Sequence, residues 1–146
     1  MRPWVYEFEE ILSIDQLPEG TVGFIYRIDN NITGKYYIGK KSLQSTRTKS
    51  LTKKELGALV DKRMSKKKKV IKESDWKTYM GSNAELKKDI ILYGSDNFFR
   101  SILHLCNNKA SMTYHEARIQ FFWGVLESDN CYCDNILGKF YRSSLK

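Results

Sequence analysis

The sequence predicts a small mixed α/β (α+β) domain, in which a mainly antiparallel three-stranded sheet is flanked by helices. Two apolar segments joined by a polar loop predict a hairpin early in the chain, and two later helical segments enclose a third strand. The 146 residues, 41% hydrophobic and 13% aromatic, suit a single folded domain. The element order β-β-α-β-α favours one sheet covered by helices.

The predicted hairpin begins at residues 22–28, Val-Gly-Phe-Ile-Tyr-Arg-Ile, a β-branched and aromatic run that is typical of a buried strand. Residues 29–34 supply turn formers, chiefly Asp, Asn and Gly. Residues 35–39, Lys-Tyr-Tyr-Ile-Gly, resume as a second strand. The two strands are therefore expected to pair across the loop.

The later elements are predicted from caps and helical periodicity. Ser82 and Glu85 have the spacing of a capping box, which predicts a helix over residues 83–93. Residues 98–105 predict the third strand, and Thr113 is expected to open the last helix. The apolar face of that helix is predicted to comprise Tyr114, Ala117, Phe121, Phe122 and Val125.

The net charge of +8 is concentrated in one part of the chain. Residues 1–20 hold one arginine and five acids, a net of −4, and we treat them as an acidic N-terminal extension of a domain at 21–146. Residues 35–72 hold fourteen lysines and arginines against two acids, a net of +12, most of it in a basic insertion at about 42–75. Such a block indicates a polyanionic partner, and a pI near 9.3 favours nucleic acid. A merely solvated lysine-rich loop is the alternative.

The sequence gives no sign of a membrane or of disulfide bonds. No apolar run reaches the roughly 18 residues that span a bilayer, and the N-terminus lacks the pattern of a signal peptide. Cys106, Cys131 and Cys133 are odd in number and do not have the spacing of a disulfide framework. We therefore expect a cytoplasmic protein with reduced thiols and no membrane partner.

Two short motifs carry a resemblance to a known family. Gly23-Phe24-Ile25-Tyr26, ten further residues, and then Tyr37-Ile38-Gly39 resemble the signature of the GIY-YIG nucleases, with residues 24–26 as the aligned triplet. Arg47 lies ten residues after Tyr37, where the family places its arginine, and Glu116 lies on a late helix, where the family places its metal-binding carboxylate. The resemblance covers roughly residues 22–137 and is typical of small stand-alone members of phage or mobile-element type, akin to homing endonucleases.

The resemblance implies a DNA endonuclease that hydrolyses phosphodiester bonds with one Mg²⁺ (or Mn²⁺) ion held by Glu116. Tyr26 would orient or deprotonate the attacking water, which demands a phenol pKa below the usual value of about 10. Tyr37 would lie beside it on the neighbouring strand, and Arg47 would clamp a phosphate oxygen through its planar fork.

Alternatives to these roles remain open from the residues alone. The tyrosine pair could simply pack the hairpin, and Thr113-x-x-Glu116 is itself a capping-box pattern that would make Glu116 structural. The family's C-terminal asparagine is either Asn135, through a shifted loop, or has been replaced by Cys133.

The basic residues suggest where DNA would lie and leave its sequence open. The expected phosphate contacts are Lys40, Lys41, Arg63, Lys66, Lys67, Lys68 and Lys69, and Arg63 is a rival for the role of Arg47. A non-catalytic nucleic-acid-binding module on the same fold is the alternative function, and a protein-interaction domain is a third. A homodimer or a partner protein would supply specificity and second-strand cleavage, in the cytoplasm of the host if a phage encodes the chain.

Overall fold

The protein is described by a computed structural model over residues 1–59 and 66–145. The helices of this part are Lys53–Gly57 (α1), Ala84–Tyr93 (α2) and Lys109–Phe122 (α3). The strands in chain order are Trp4–Tyr6 (β1), Glu9–Ile11 (β2), Gly23–Asn30 (β3), Tyr36–Ser42 (β4), Gln44–Ser50 (β5), Lys67–Glu73 (β6), Phe98–Cys106 (β7), Asn135–Ile136 (β8) and Phe140–Tyr141 (β9).

The main sheet has five strands in the order β2-β1-β7-β3-β4, so the mixed α+β class is confirmed and the prediction of three strands is wrong. The predicted hairpin is β3 and β4, paired from Gly23↔Ser42 to Asp29↔Tyr36, and the predicted third strand is β7. The two added strands are three residues each, too short for an alternating pattern. They join the sheet through a parallel pairing of β1 with β7 and through Trp4, whose buried indole donates to the carbonyl of Trp76 at 2.7 Å.

The sheet is covered on both faces, and β3 is its central buried strand. On one face Phe24, Tyr26 and Ile28 pack with Trp4, Trp76 and α2. On the other face Ile25 packs with residues of α3 and of the C-terminal segment. This two-sided burial explains why residues 23–28 form an apolar run rather than an alternating one.

Both long helices begin elsewhere than the capping patterns predict. The N-cap of α2 is Asn83, which accepts from the Leu86 amide, and Ser82 lies outside the helix. The N-cap of α3 is Asn108, so Thr113 and Glu116 lie in the helix interior and do not form a capping box. The buried face of α3 comprises Met112, Ala117 and Gln120, whereas Tyr114, Phe121 and Phe122 of the predicted apolar face are exposed.

The predicted insertion forms a two-stranded ribbon, which we call the basic arm (residues 44–59 and 66–73 of the described chain). Its strands β5 and β6 pair with each other from Gln44↔Glu73 to Ser50↔Lys67, and α1 lies between them in sequence. Sequence periodicity does not predict the ribbon, because none of its described residues enters either core cluster. Arg63 lies outside the described residues.

No helix in the described part of the chain combines the length and apolar character needed to cross a bilayer.

Candidate active site

A polar pocket of about 520 Å³ lies beside the edge strand β4, where the start of α2, the middle of α3 and the C-terminal segment meet. Four of the predicted site residues line it: Tyr37, Lys40, Glu116 and Asn135. The remaining lining residues are Ser82, Asn83, Ala84, Thr113, Gln120, Cys133, Asp134, Leu137 and Gly138. The pocket therefore gathers residues that are up to about a hundred positions apart in the chain.

Glu116 presents a carboxylate to this pocket from the helix interior. Because α3 begins at Lys109, Glu116 lies about two turns into the helix and is not an N-terminal capping residue. Burial raises the pKa of Glu116, and the ammonium of Lys40 offsets part of that rise. The Lys40 ammonium donates to the hydroxyl of Thr113 at 2.8 Å, which holds it along the same helix.

Tyr26 and Tyr37 lie on neighbouring strands, with ring centroids 6.1 Å apart. Tyr37 lines the pocket and shares a 3.3 Å hydrogen bond with the hydroxyl of Ser82. Tyr26 is 1% exposed, and its hydroxyl lies 2.5 Å from where a Cβ at Gly39 would stand. Gly39 is therefore required because the Tyr26 phenol occupies the space of a side chain, which gives the last residue of the second motif a packing role.

Without a metal ion, the surroundings of the two phenols do not lower their pKa. Burial raises the pKa of Tyr26 well above its usual value, and Tyr37 and Tyr79 add to the rise. Burial also raises the pKa of Tyr37 to about 12. The carboxylate of Glu116 raises both further, so the two phenols are neutral near pH 7.

The C-terminal segment lines the pocket with residues 133–135, 137 and 138, which we call the C-terminal wall. The thiol of Cys133 is buried and donates to the carbonyl of Ile38 at 3.5 Å, whereas Asn135 is exposed and its side-chain carbonyl accepts from the Gly138 amide at 3.0 Å. Both candidates for the asparagine position thus reach the pocket. Asp134, between them, accepts a 3.0 Å hydrogen bond from the side chain of Asn83.

Arg142 fastens this wall to the domain. Its guanidinium donates to the backbone carbonyls of five residues at distances of 2.6 to 3.2 Å: Val125, Leu126, Ser128, Cys131 and Cys133. The planar fork of arginine, with five donors, suits such a cluster of carbonyl groups. The chain from 125 to 133 is therefore held in place by one side chain that sequence patterns did not identify.

Several predicted DNA contacts lie away from the pocket. Arg47 is exposed on β5, opposite Val70 in the basic arm, and does not line the pocket. Lys41 points to the other side of β4 from Lys40 and pairs with Asp75 at 2.5 Å. Lys66, Lys67, Lys68 and Lys69 belong to the basic arm, and Lys68 pairs with Glu55 at 2.6 Å.

Sequence reasoning missed Asn83, Gln120 and Asp134 at the pocket. Asn83 was overlooked because Ser82 fits a capping box, although an asparagine before a helix is an equally good cap. Gln120 is 5% exposed and donates to the carbonyl of Ile38 at 3.0 Å, a buried polar role that apolar periodicity does not reveal. Asp134 stands in an irregular segment, where neighbours in sequence say little about neighbours in space.

A comparison of the chain with known protein families agrees with the observed fold, in which a tyrosine-bearing hairpin lies beside a helix that carries a carboxylate. A family model described as "Putative endonuclease segE, GIY-YIG domain" matches residues 4–143, which include the added strands β1 and β2. The chain therefore belongs to the GIY-YIG endonuclease family. Membership implies a nuclease, a hydrolase whose substrate is DNA. Searches of curated proteins and of solved structures gave no significant match.

Proposed function

We propose that the protein is a DNA endonuclease that hydrolyses phosphodiester bonds at the pocket beside β4, with one Mg²⁺ or Mn²⁺ ion held by Glu116. The supporting observation is a half-buried carboxylate that faces a polar pocket together with Lys40 and Tyr37. A carboxylate whose pKa is raised by burial gains from a cation placed beside it.

The donor groups at the pocket fit such an ion. Glu116 and Asp134 line the pocket and offer carboxylate oxygens. Within the described ranges 1–59 and 66–145, no group of three or more His, Cys, Asp or Glu is placed to hold a metal ion. A small number of carboxylates completed by water suits Mg²⁺, which dehydrates reluctantly. When bound, the ion would offset charge on the phosphoryl oxygens and lower the pKa of a coordinated water.

The other residues of the pocket would position the substrate. Lys40 is held at the rim by Thr113 and would contact a non-bridging phosphate oxygen. The amide of Asn135 keeps its two donor hydrogens available after its carbonyl is taken by Gly138, so it would donate to the leaving strand. We propose Arg47 as a further phosphate contact that acts from the basic arm.

The tyrosines would act as neutral donors that orient the attacking water. We expect Tyr37→Phe to lower kcat by about 10- to 100-fold, because Tyr37 lines the pocket. Tyr26→Phe should lower kcat as well, because the Tyr26 phenol supports β4. Because the pKa of Tyr37 is raised to about 12, the ratio of wild-type to variant rate should stay constant between pH 7 and 9. A ratio that grows tenfold per pH unit in this range would instead identify a phenolate base. Single-turnover cleavage at each pH gives the ratio directly.

Dependence on a divalent ion tests the function as a whole. Supercoiled plasmid incubated with the protein and Mg²⁺ or Mn²⁺ is expected to be nicked or linearised, and EDTA should stop the reaction by at least about 100-fold. Gel-shift binding to the same DNA should persist in EDTA at low salt, because the basic residues remain. Binding without cleavage under every divalent ion would favour the alternative, a non-catalytic DNA-binding module.

The proposed active site would cut one strand at a time, so a double-strand break calls for a second copy or a second binding event. We propose a homodimer or a partner protein for this step, to be tested by the dependence of linear product on protein concentration. The three cysteines are all free and buried, which fits our proposal of a reducing, cytoplasmic location. Recovery of the protein in an oxidising compartment would contradict that location.

A further inference from the structure

The basic arm stands outside the core as a ribbon with two open edges. Seven residue pairs align β5 with β6, and neither strand pairs with any other strand of the described chain. At about 3.3 Å per residue the ribbon is about 23 Å long. It is anchored at its base, where the Leu43 amide donates to the Val22 carbonyl and the Ser74 amide donates to the Leu43 carbonyl, at 2.9 and 2.8 Å.

The arm has two unlike faces, because side chains alternate along each strand and paired residues share a face. We call one the cationic face: Ser45, Arg47, Lys49, Lys68, Val70 and Lys72. We call the other the threonine face: Gln44, Thr46, Thr48, Ser50, Lys67, Lys69, Ile71 and Glu73.

The two faces differ in exposure. On the cationic face Ser45, Lys68 and Val70 are partly buried, and Lys68 pairs with Glu55 of α1. Every residue of the threonine face is exposed, including Ile71 at 63%. The face that is open along its whole length thus carries hydroxyls and an aliphatic side chain, with lysines toward its far end.

We infer that the threonine face enters the major groove of double-stranded DNA and contacts base edges there. This inference rests on the proposed function for its DNA partner. The major groove is about 12 Å wide, admits a two-stranded ribbon and presents a distinct pattern of donors and acceptors for each base pair, whereas the minor groove is about 6 Å wide and distinguishes mainly A·T from G·C pairs. Threonine hydroxyls can bond to the edge of any base, and an aliphatic group such as Ile71 fits the methyl group of thymine.

The composition of the threonine face favours contact with bases over attraction to phosphates alone. A surface that only neutralises phosphates needs cations on its exposed side and gains nothing from the aliphatic Ile71, whereas Thr46 and Thr48 can bond to base edges as well as to phosphate oxygens. The strands of the ribbon are both edge strands, so Lys49 and Lys72 of the other face can lean past the backbone toward the phosphates that border the groove. The lysines thus supply affinity, and the threonine face supplies preference for sequence.

The arm lies directly downstream of the pocket in the chain. Strand β4 carries Tyr37 and Lys40 at the pocket and ends at Ser42, and β5 begins at Gln44 after the buried Leu43. Bases contacted by the arm would therefore lie at a fixed distance from the phosphate that reaches Glu116.

Binding selection from a randomised duplex library tests the inference without relying on cleavage. The full chain carrying Glu116→Gln is used in EDTA, and bound DNA is sequenced. We expect a short enriched motif that the triple variant Thr46→Ala/Thr48→Ala/Ile71→Ala flattens by at least about fivefold per position. The matched double variant Lys49→Ala/Lys72→Ala should keep the motif, weaken binding to all sequences and reduce the salt slope by about 2.

Methylation interference on the enriched motif identifies the groove. Methyl groups at guanine N7, in the major groove, should block binding of the full chain, and those at adenine N3, in the minor groove, should not. Interference at adenine N3 alone, an unenriched library, or a motif that survives the triple variant would each overturn the inference. The two proposals can fail separately. If the protein cuts no DNA with Mg²⁺ or Mn²⁺ but still enriches a motif with the expected interference, the inference about the basic arm is supported and the proposed nuclease activity is contradicted.

Discussion

Glu116→Gln is expected to lower the rate of DNA cleavage by about 1,000-fold while leaving DNA binding in EDTA unchanged within about twofold. The substitution preserves the size of the side chain but removes the negative charge that would hold the metal ion. Because Glu116 lies in the interior of α3 and not at its N-cap, the variant loses no helix cap. Single-turnover cleavage of supercoiled plasmid, with gel-shift binding alongside, measures both effects.

The same variant has a predictable effect on stability in EDTA. Burial raises the pKa of Glu116 in the folded protein, so folding favours the protonated carboxyl. The stability that this provides is fully present below the ordinary carboxyl pKa and is lost as pH rises through the raised value. Glu116→Gln should therefore be more stable than wild type at pH 7, and the difference should vanish near pH 3.

Glu127→Gln is the matched control, since it changes an exposed acid after the same helix that does not line the pocket. It should cut like wild type and show no gain in stability at pH 7. Equal cleavage by wild type and the Glu116 variant under both Mg²⁺ and Mn²⁺ would contradict the metal role of Glu116. A loss of stability at pH 7 in EDTA would contradict the electrostatic account of its burial.

The fold was predictable from the sequence where long segments have one environment along their length. The run at residues 23–28 is buried on both faces, so its apolar character indicates β3 directly. Strands of three residues, such as β1 and β2, have too little length for a pattern and depend on Trp4, whose place is set by contacts with residues 24, 26 and 76. Long-range packing of this kind is not written in local sequence.

The starts of helices are also hard to predict from sequence, since two residues that can each cap a helix often lie close together in the chain. Asn108 and Thr113 can both cap a helix, and the choice of Asn108 lengthens α3 and moves Glu116 inward. Periodicity then favours the wrong face: Phe121 and Phe122 are exposed, whereas Gln120 is buried against the Ile38 carbonyl. A polar residue that is satisfied by a single backbone partner resembles a surface residue in the sequence.

Within the candidate site, residues that match or adjoin the family signature were predicted, and residues outside it were not, even on a regular element such as α3, which carries Gln120. Tyr37 and Glu116 were identified through the resemblance to the GIY-YIG family, and Lys40 as a basic residue directly after the second motif. The C-terminal wall, with Asp134, depends on hydrogen bonds between residues that have no regular spacing. Arg142 governs that wall through its contacts, and no motif distinguishes it from the other basic residues of the tail.

Arg142→Ala is expected to destabilise the protein by about 3 kcal/mol and to lower the melting temperature by about 10 °C. The Arg142 guanidinium donates hydrogen bonds to five backbone carbonyls. Removing it leaves the buried carbonyls of this set without the hydrogen bond from Arg142. Cleavage at a temperature well below the transition should also fall by about 10-fold or more, because the wall that carries Cys133 and Asn135 loses its anchor. Thermal denaturation and single-turnover cleavage measure the two effects.

Arg142→Lys separates geometry from charge. A lysine keeps the positive charge but has a single ammonium in place of a planar fork, so it can reach only a minority of the carbonyls and should recover less than half of the lost stability. Lys139→Ala, an exposed basic residue of the same segment, is the matched control and should melt within about 1 °C of wild type. Full recovery by lysine would mean that charge alone holds the segment, and wild-type melting by Arg142→Ala would mean that the C-terminal wall is held by its own packing around Cys131 and Ile136.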